Sequence, residues 1–409
     1  MKRQGAYERM RQLLFTPDRD VHMQTRKISA FLVDRANYGR LLPLLTALRD
    51  DPRFELQLIL GGSFVLERFG SPYQMLADDG LTEREGVRAE FVYHEIEGDS
   101  GLCKALSIGA GVSGYAQAIE RQRSDWALVI GDRFEALAAA QAAVYTGRCL
   151  VHVQGGEVSG TLDELARHAI TKLAHYHLPA TQQALRHLVR MGEHPKTMLT
   201  VGCPSSDLAL RITPRRYRPG RLDALVMFHP DPPDSTLLRD PREQMTDLLL
   251  ALSGHQWDRL RIWWPNIDAG AWGIHHELRN VRERSELVET VTNLPPVRFL
   301  EALRDATILI GNSSSFVRDA GYFGTPVVLV GHRQDGRERA ANVLQVEADA
   351  EDIHLGIWRQ LNHGPYPPSR LYGHGDVARE LINALSQAPH YRQKRLHYAQ
   401  DLSGADQAA

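Results

Sequence analysis

Trp126–Ile130 (WALVI) is a short apolar run that stops at Gly131-Asp132-Arg133, and the alanine-rich stretch Glu135–Tyr145 (EALAAAQAAVY) follows it. Cys149–Val153 (CLVHV) is a second such run, stopping at Gln154-Gly155-Gly156. An unbroken apolar run fits a strand buried on both faces, and a helical stretch between two of them fits a parallel crossover. The segment therefore reads as βαβ. Working outward, Lys27–Val33 and Phe54–Leu60 give the same signal before it. After it the pattern restarts with Leu222–Phe228, Leu260–Trp264, Thr307–Ile310 and Pro326–Val330, each ending at a polar or glycine turn. We expect an α/β protein of two Rossmann-like domains facing a cleft, because ligands in open α/β sheets bind beyond the carboxyl ends of the strands. The polar cluster Tyr217-Arg218-Pro219-Gly220 marks the boundary. The expected divisions are an N-terminal extension over 1–26, a first domain over 27–217 and a nucleotide-binding domain over 218–385. A tail with helical character, packing back, takes 386–409.

Composition narrows the function classes. The 409 residues are 43% hydrophobic and 24% charged, which suits a globular protein of two or three domains at roughly 150 residues each. Lys plus Arg total 48 against 50 Asp plus Glu, so the chain lacks the basic footprint of a nucleic-acid binder. No apolar run approaches the roughly 20 residues of a membrane span, and Met1–Arg26 has no apolar core of a secretory signal. Cys103, Cys149 and Cys203 are sparse and form no CxxC pair, which fits a reducing compartment. The expectation is a cytoplasmic protein with neither nucleic-acid nor membrane partners.

One motif is a decoy. Gly109, Gly111 and Gly114 satisfy GxGxxG, but they follow a helical pattern at Leu102, Ala105 and Leu106 instead of a strand. Close helix packing is the better reading. The dense polar stretch lies elsewhere, over Asp132, Arg133, Gln154, Glu157, Asp163, Arg167 and His168. Thr161 with Glu164 fits a capping box opening a helix whose apolar stripe is Leu162, Leu165, Ala166, Ala169, Ile170 and Leu173. Asp163 with Arg167 and Glu164 with His168 have i,i+4 spacing, common on solvated faces. Their place at the ligand edge of a sheet gives the carboxylates an acid/base role on a polar substrate. His168, His175 and His177 lack metal-ligand spacing, so neither metal nor cofactor is expected. In the second half, Gly311-Asn312-Ser313-Ser314-Ser315 opens a helix after a strand, which suits phosphate, although simple capping by Ser also accounts for it. Asp319, one turn on, could reach a ribose diol. Arg333 and Arg337 after the next strand, and Arg35, Gly39 and Arg40 after the first, add cations and close approach. Without a Walker A sequence, the pattern indicates a nucleotide-sugar enzyme.

At these residues the chain resembles the hydrolysing UDP-N-acetylglucosamine 2-epimerases, including the epimerase half of the bifunctional epimerase/kinase of animal sialic acid synthesis. The resemblance runs from Lys27 to Leu385. It rests on GDRFEALA at Gly131, GGEVSGTLDE at Gly155, RHAITKLAHYH at Arg167 and VGCPS at Val201, with PNIDAG at Pro265, GNSS at Gly311 and GRE at Gly336 in support. It implies a glycosyltransferase-B-like fold, a nucleotide-sugar substrate and a homodimer or homotetramer. It also implies elimination of UDP to a 2-acetamidoglucal, then hydration to N-acetylmannosamine. By position, Asp132, Asp163, Arg167, Gln154, Glu157 and His229 are implied to be catalytic. Arg35, Gly39, Arg133, His168, Asn266, Ser313, Ser314, Asp319 and Arg333 are implied to bind substrate or nucleotide. Two positions depart from the family pattern: Gln154 stands where the animal enzyme has a catalytic Glu, and Asp319 replaces a ribose-gripping Glu. His276 and Arg279 fall where the animal family carries a regulatory basic pair. A 2,4-diacetamido-trideoxy sugar or a GDP-sugar as substrate, a glycosyltransferase on the same fold, and a binding protein that has lost catalysis are the alternative readings.

Overall fold

Two parallel six-stranded sheets carry the chain in the computed structural model, which describes residues 25–213, 220–230 and 240–397. The first contains β1 (Arg26–Leu32), β2 (Phe54–Leu60), β3 (Arg88–Phe91), β4 (Trp126–Ile130), β5 (Cys149–Val153) and β6 (Tyr176–Leu178). The second contains β7 (Asp223–Met227), β8 (Arg259–Trp263), β9 (Val288–Val291), β10 (Ile308–Gly311), β11 (Val327–Val330) and β12 (Val343–Val346). The first sheet has the order β3-β2-β1-β4-β5-β6, and the second repeats it as β9-β8-β7-β10-β11-β12. This is the doubly wound order, whose direction of winding reverses between the first and fourth strands. The reversals fall between β1 and β4 and between β7 and β10, where the strand ends leave a crevice.

Helices cover both faces. Asp34 caps the helix Arg35–Asp50 by accepting the Asn37 N–H at 2.6 Å, and Leu41, Leu44, Leu45 and Leu48 of that helix are wholly buried under the first sheet. Each such leucine contributes about 1.5–3 kcal/mol through the surface it takes from water. On the other face, the helices Gly101–Gln122, Phe134–Tyr145 and Asp163–Leu173 pack side by side. The GxGxxG glycines sit within the first of these. A Cβ on Gly111 would lie 3.0 Å from the His94 ring, and one on Gly114 would lie 2.5 Å from Val92. Gly111 and Gly114 thus serve close packing of this helix, whereas a Cβ on Gly109 would meet nothing within 4 Å.

Three expectations need correction. Val377, Ala378, Leu381, Ile382 and Leu385 of the helix Val377–Gln387 join the core of the first domain, against the helix Arg35–Asp50. The segment assigned to the second domain thus ends by returning to the first. The return is anchored where Asp207 accepts the N–H groups of Val377 and Ala378, each at 2.9 Å. Beyond it, 388–397 packs back on the first domain without forming a helix, the Tyr176 hydroxyl donating to Pro389 O at 2.7 Å. The capping box at Thr161 is also absent. Thr161 accepts the Asp163 N–H at 3.2 Å, but Glu164 turns to the Ser159 N–H at 2.8 Å, and Leu162 and Leu165 are each 68% exposed. The apolar stripe begins only at Ala166, because the start of this helix borders the cleft instead of the core. Most of the expected extension 1–26, the turn 217–219 at the boundary and the end of the tail lie outside the described residues.

Candidate active site

The two reversal points face one another. After β1 come Asp34 and Arg35, and after β4 come Asp132 and Arg133. After β7 comes His229, and after β10 come Asn312 and Ser313. Asn312 ties its two loops together, accepting the His229 N–H and donating to the His229 carbonyl, both at 2.8 Å. One cleft collects these ends. Of the residues singled out from sequence, Arg35, Gly39, Asp132, Arg133, Asp163, His229, Asn266, Ser313, Ser314, Asp319 and Arg333 line it.

Arg167 lies wholly buried behind the cleft wall. The i,i+4 spacing had paired it with Asp163, but it donates instead to Asp132 (Nε, 3.1 Å, with a second bond from Nη2), to Glu164, to Ser159 Oγ at 2.7 Å and to the Glu157 carbonyl at 3.0 Å. From the second domain, Arg318 donates to Glu157, and Arg337 reaches within 3.4 Å of Glu157 and 3.7 Å of Asp132. Three guanidiniums thus meet three carboxylates, Asp132, Glu157 and Glu164. Burial alone would raise the Asp132 carboxyl, but Arg167, Arg337 and Arg318 outweigh it and hold Asp132 far below the usual carboxylate range. Burial, then the nearby Arg318 charge, brings Arg337 down to about 10.

Asp163 has the opposite setting. Its side chain is 26% exposed toward the cleft, and its nearest cation is Arg333 at 3.8 Å. Burial, reinforced by the negative charges of Asp132 and Asp268, pushes it up to about 6. Two neighbouring carboxyls therefore titrate far apart: Asp132 stays ionised while Asp163 exchanges its proton near pH 6, the arrangement that separates acid and base duties. His229 is brought down to about 3 by burial and then by Arg333, so its imidazole is neutral. Asp268, which the sequence reading did not single out, accepts from Arg133 at 2.9 Å and Arg333 at 3.0 Å and lies 4.0 Å from His229 Nδ1. Arg133 is fixed from behind by Glu135, at 3.0 and 3.1 Å.

At the other end of the cleft, Arg40 of the first domain donates to Ser314 Oγ of the second at 2.7 Å. Ser313 caps the short helix Ser314–Arg318, accepting the Ser315 N–H at 3.3 Å, so the capping reading of this serine holds. Asp319 accepts from Ser205 Oγ at 3.0 Å, and burial raises its carboxyl. Arg35 reaches across the domains to Asn266 Oδ1 at 3.4 Å and to the Thr292 carbonyl. Trp263, Phe299 and Leu300 add an apolar wall able to take a flat base.

Gln154, Glu157 and His168 are not brought into this lining. Gln154 sits in the left-handed region at φ +64, buried, with Nε2 donating to Cys203 Sγ at 2.7 Å. Glu157 is enclosed by Arg318 and Arg337. His168 is 38% exposed and bonds Glu164 at 2.8 Å. Arg318 enters the site from a position the sequence reading did not name, while Arg40 and Arg337, expected only as cations beyond strand ends, come to lie against Ser314 and against Glu157 and Asp132. Among the described residues no group of three or more His, Cys, Asp or Glu is placed to hold a metal ion, and no helix is long and apolar enough to cross a membrane.

The chain is 29% identical over 377 residues to UDP-N,N'-diacetylbacillosamine 2-epimerase (hydrolyzing) of Legionella pneumophila, covering 90% of this chain and 97% of that one. It is 28% identical over 361 residues to UDP-N-acetylglucosamine 2-epimerase of Neisseria meningitidis serogroup B, covering 86% and 92%. In fold it is similar to the Methanocaldococcus jannaschii UDP-GlcNAc 2-epimerase solved with UDP-GlcNAc and UDP, with TM-score 0.71, 15% identity, and coverage of 88% of this chain and 100% of that one. The family model for UDP-N-acetylglucosamine 2-epimerase matches residues 46–386, from the end of the first helix into the helix Val377–Gln387, and the chain belongs to that family.

Proposed function

We propose that the protein hydrolyses UDP-N-acetylglucosamine with inversion at C2, releasing N-acetylmannosamine and UDP. The observation that carries this reading is the pair Asp132 and Asp163, one held ionised and the other pushed up to about 6, at one end of a cleft whose other end offers Arg40 and Ser314. Elimination removes the C2 proton and breaks the C1–O bond to UDP, leaving a 2-acetamidoglucal. Water then adds at C1, and a proton returns to C2 from the opposite face. Asp163, lying at one face of the sugar, carries one of the two proton transfers at C2, and the transfer on the opposite face falls to a second group or to water. Asp132 presents a fixed negative charge to the sugar as C1 loses its leaving group. Arg40, Ser314 and the guanidiniums of Arg318 and Arg337 stabilise the departing diphosphate. The product would feed synthesis of sialic or related nonulosonic acids. A glycosyltransferase-B-like architecture in the cytoplasm, divided near residue 217, belongs to the same reading. So does a homodimer or homotetramer, which the exposed Leu102, Leu106, Leu162 and Leu165 on the outer helices support.

A second substrate is favoured by a specific observation. The Legionella relative is named for a UDP-linked diacetamido sugar, and a Campylobacter jejuni relative, 27% identical over 344 residues, for its GDP or UDP form. Incubation with each sugar nucleotide in deuterated water, followed by NMR, separates the readings. Free N-acetylmannosamine deuterated at C2, with UDP, is the expected result. Turnover of the diacetamido sugar alone moves the assignment to that substrate. A product still joined to UDP overturns hydrolysis.

A further inference from the structure

Asp268 follows β8, outside the strand-end residues that first draw attention, yet two arginines of the cleft, Arg133 and Arg333, converge on it. It accepts from Nη1 of Arg133, which comes from the opposite domain, and from Nη2 of Arg333 at 3.0 Å. The same Arg333 nitrogen lies 3.8 Å from Asp163. One guanidinium thus stands between two carboxylates, within hydrogen-bond length of Asp268 and beyond it for Asp163.

We propose that Asp268 is a positioning residue: it holds Arg333 short of Asp163 and so leaves Asp163 free to take up and give back a proton.

The surroundings of Asp163 bear this out. The charged groups that act on it are Asp132 and Arg133 from the β4 end, Arg333 after β11 and Asp268 after β8. Glu164 and Arg167, on its own helix, turn away to Ser159 and Asp132. His229, at the β7 end, is neutral. Each cation able to pin Asp163 as an anion is thus engaged by another carboxylate: Arg333 by Asp268, and Arg133 by Asp268 and Glu135. Removing the Asp268 charge has three effects. It releases Arg333, loosens Arg133 and deletes a negative neighbour. All three favour ionised Asp163.

The proposal rests on the hydrolytic reading only for its consequence in turnover, so the test does not depend on activity. The full chain is labelled with 13C at the aspartate carboxyl carbon, and the signal missing from D163N identifies Asp163. Its titration midpoint is then followed in wild type, D268N, D268E and R333Q. D268N should titrate at least about half a pH unit below wild type, R333Q above it, and D268E close to it. An unmoved or raised midpoint in D268N, or a lowered one in R333Q, overturns the proposal, and if D268N does not fold, R333Q decides alone. With a substrate that turns over, the limb of the pH–kcat/KM profile due to Asp163 should move with the midpoint, whereas a purely structural loss lowers the profile without shifting it. Midpoints that shift as expected while UDP-N-acetylglucosamine is not turned over uphold the proposal and refute the substrate reading.

Discussion

Replacing Glu157 with glutamine would delete one negative charge where two guanidiniums have almost no water to replace it. Glu157, Arg318 and Arg337 are 4, 2 and 3% exposed in their side chains, and both arginines address the same oxygen, Arg337 at 3.4 Å. Glutamine keeps the shape and offers only a neutral acceptor. Removing one partner of a buried ion pair typically costs about 3–5 kcal/mol, because the other charge is left uncompensated. Arg337 keeps Asp132 at 3.7 Å, which places the cost at the low end of that range. At about 2–4 °C per kcal/mol for a domain of this size, the melting temperature should fall by roughly 6–12 °C. The charge argument makes a second demand. Arg318 and Arg337 line the cleft, so a phosphate-bearing ligand can supply the missing negative charge. Thermal unfolding at low salt, with and without saturating UDP, should show UDP restoring more of the melting temperature in E157Q than it adds to wild type. A melting temperature within 2 °C of wild type, on the same scale of about 2–4 °C per kcal/mol, or equal gains from UDP in both proteins, would refute the reasoning.

Other substitutions probe the rest of the site. Asp132→Asn should lower turnover by about 10²–10⁴-fold while the chain still folds, since Arg167 keeps Glu164; wild-type turnover would remove Asp132 from the reaction. Arg40→Met should weaken UDP binding by about 10- to 100-fold, the scale of one charge-assisted hydrogen bond, and calorimetry showing unchanged affinity would place the diphosphate elsewhere. Glu193 should govern acid stability away from the cleft. Burial would raise its carboxyl, but His177, Lys394 and Lys172 bring it from 4.5 down to about 2. A depressed folded value stabilises above the unfolded one and is lost as pH falls through about 2. The stability gap between wild type and E193Q should therefore be widest above pH 5 and close toward pH 2, and a constant gap would contradict the linkage.

Much of the fold could be read from residue order because the central strands are short, mostly apolar runs that each stop at a glycine or polar turn. β2, β4 and β5 begin and end where the pattern places them, and β1, β7, β8, β10 and β11 differ by a residue. β3 (RAEF), β9 (VETV) and β12 (VLQV) escaped notice since they are sheet edges of four residues each, half-exposed and too short for a pattern to set them off from loops. The site was legible to the extent that strand ends at a winding reversal must face a ligand: Asp132, His229 and Ser313 follow from that rule alone. Asp268 and Arg318 did not, because their partners belong to another loop or the other domain, and only docking brings them together. The supposed Asp163–Arg167 pair failed for a related reason. Helical spacing permitted it, but Arg167 turns inward, where the strand-end Asp132 receives it.

The helix that returns from the second domain has a consequence for synthesis on the ribosome. Leu381 and Leu385 fill the same core as Leu41 and Leu45, and Arg26 Nη1 donates to the Ala388 carbonyl, 362 residues away. At about 5–20 residues per second, roughly 200 residues between β6 and this helix take some 10–40 s to emerge. Throughout that time the first sheet is complete but one of its greasy flanks is bare, while a second domain of identical winding folds beside it. Nascent chains stalled between residues 180 and 376 should thus be the species that chaperones hold, and release should follow the appearance of the final helix rather than completion of either sheet.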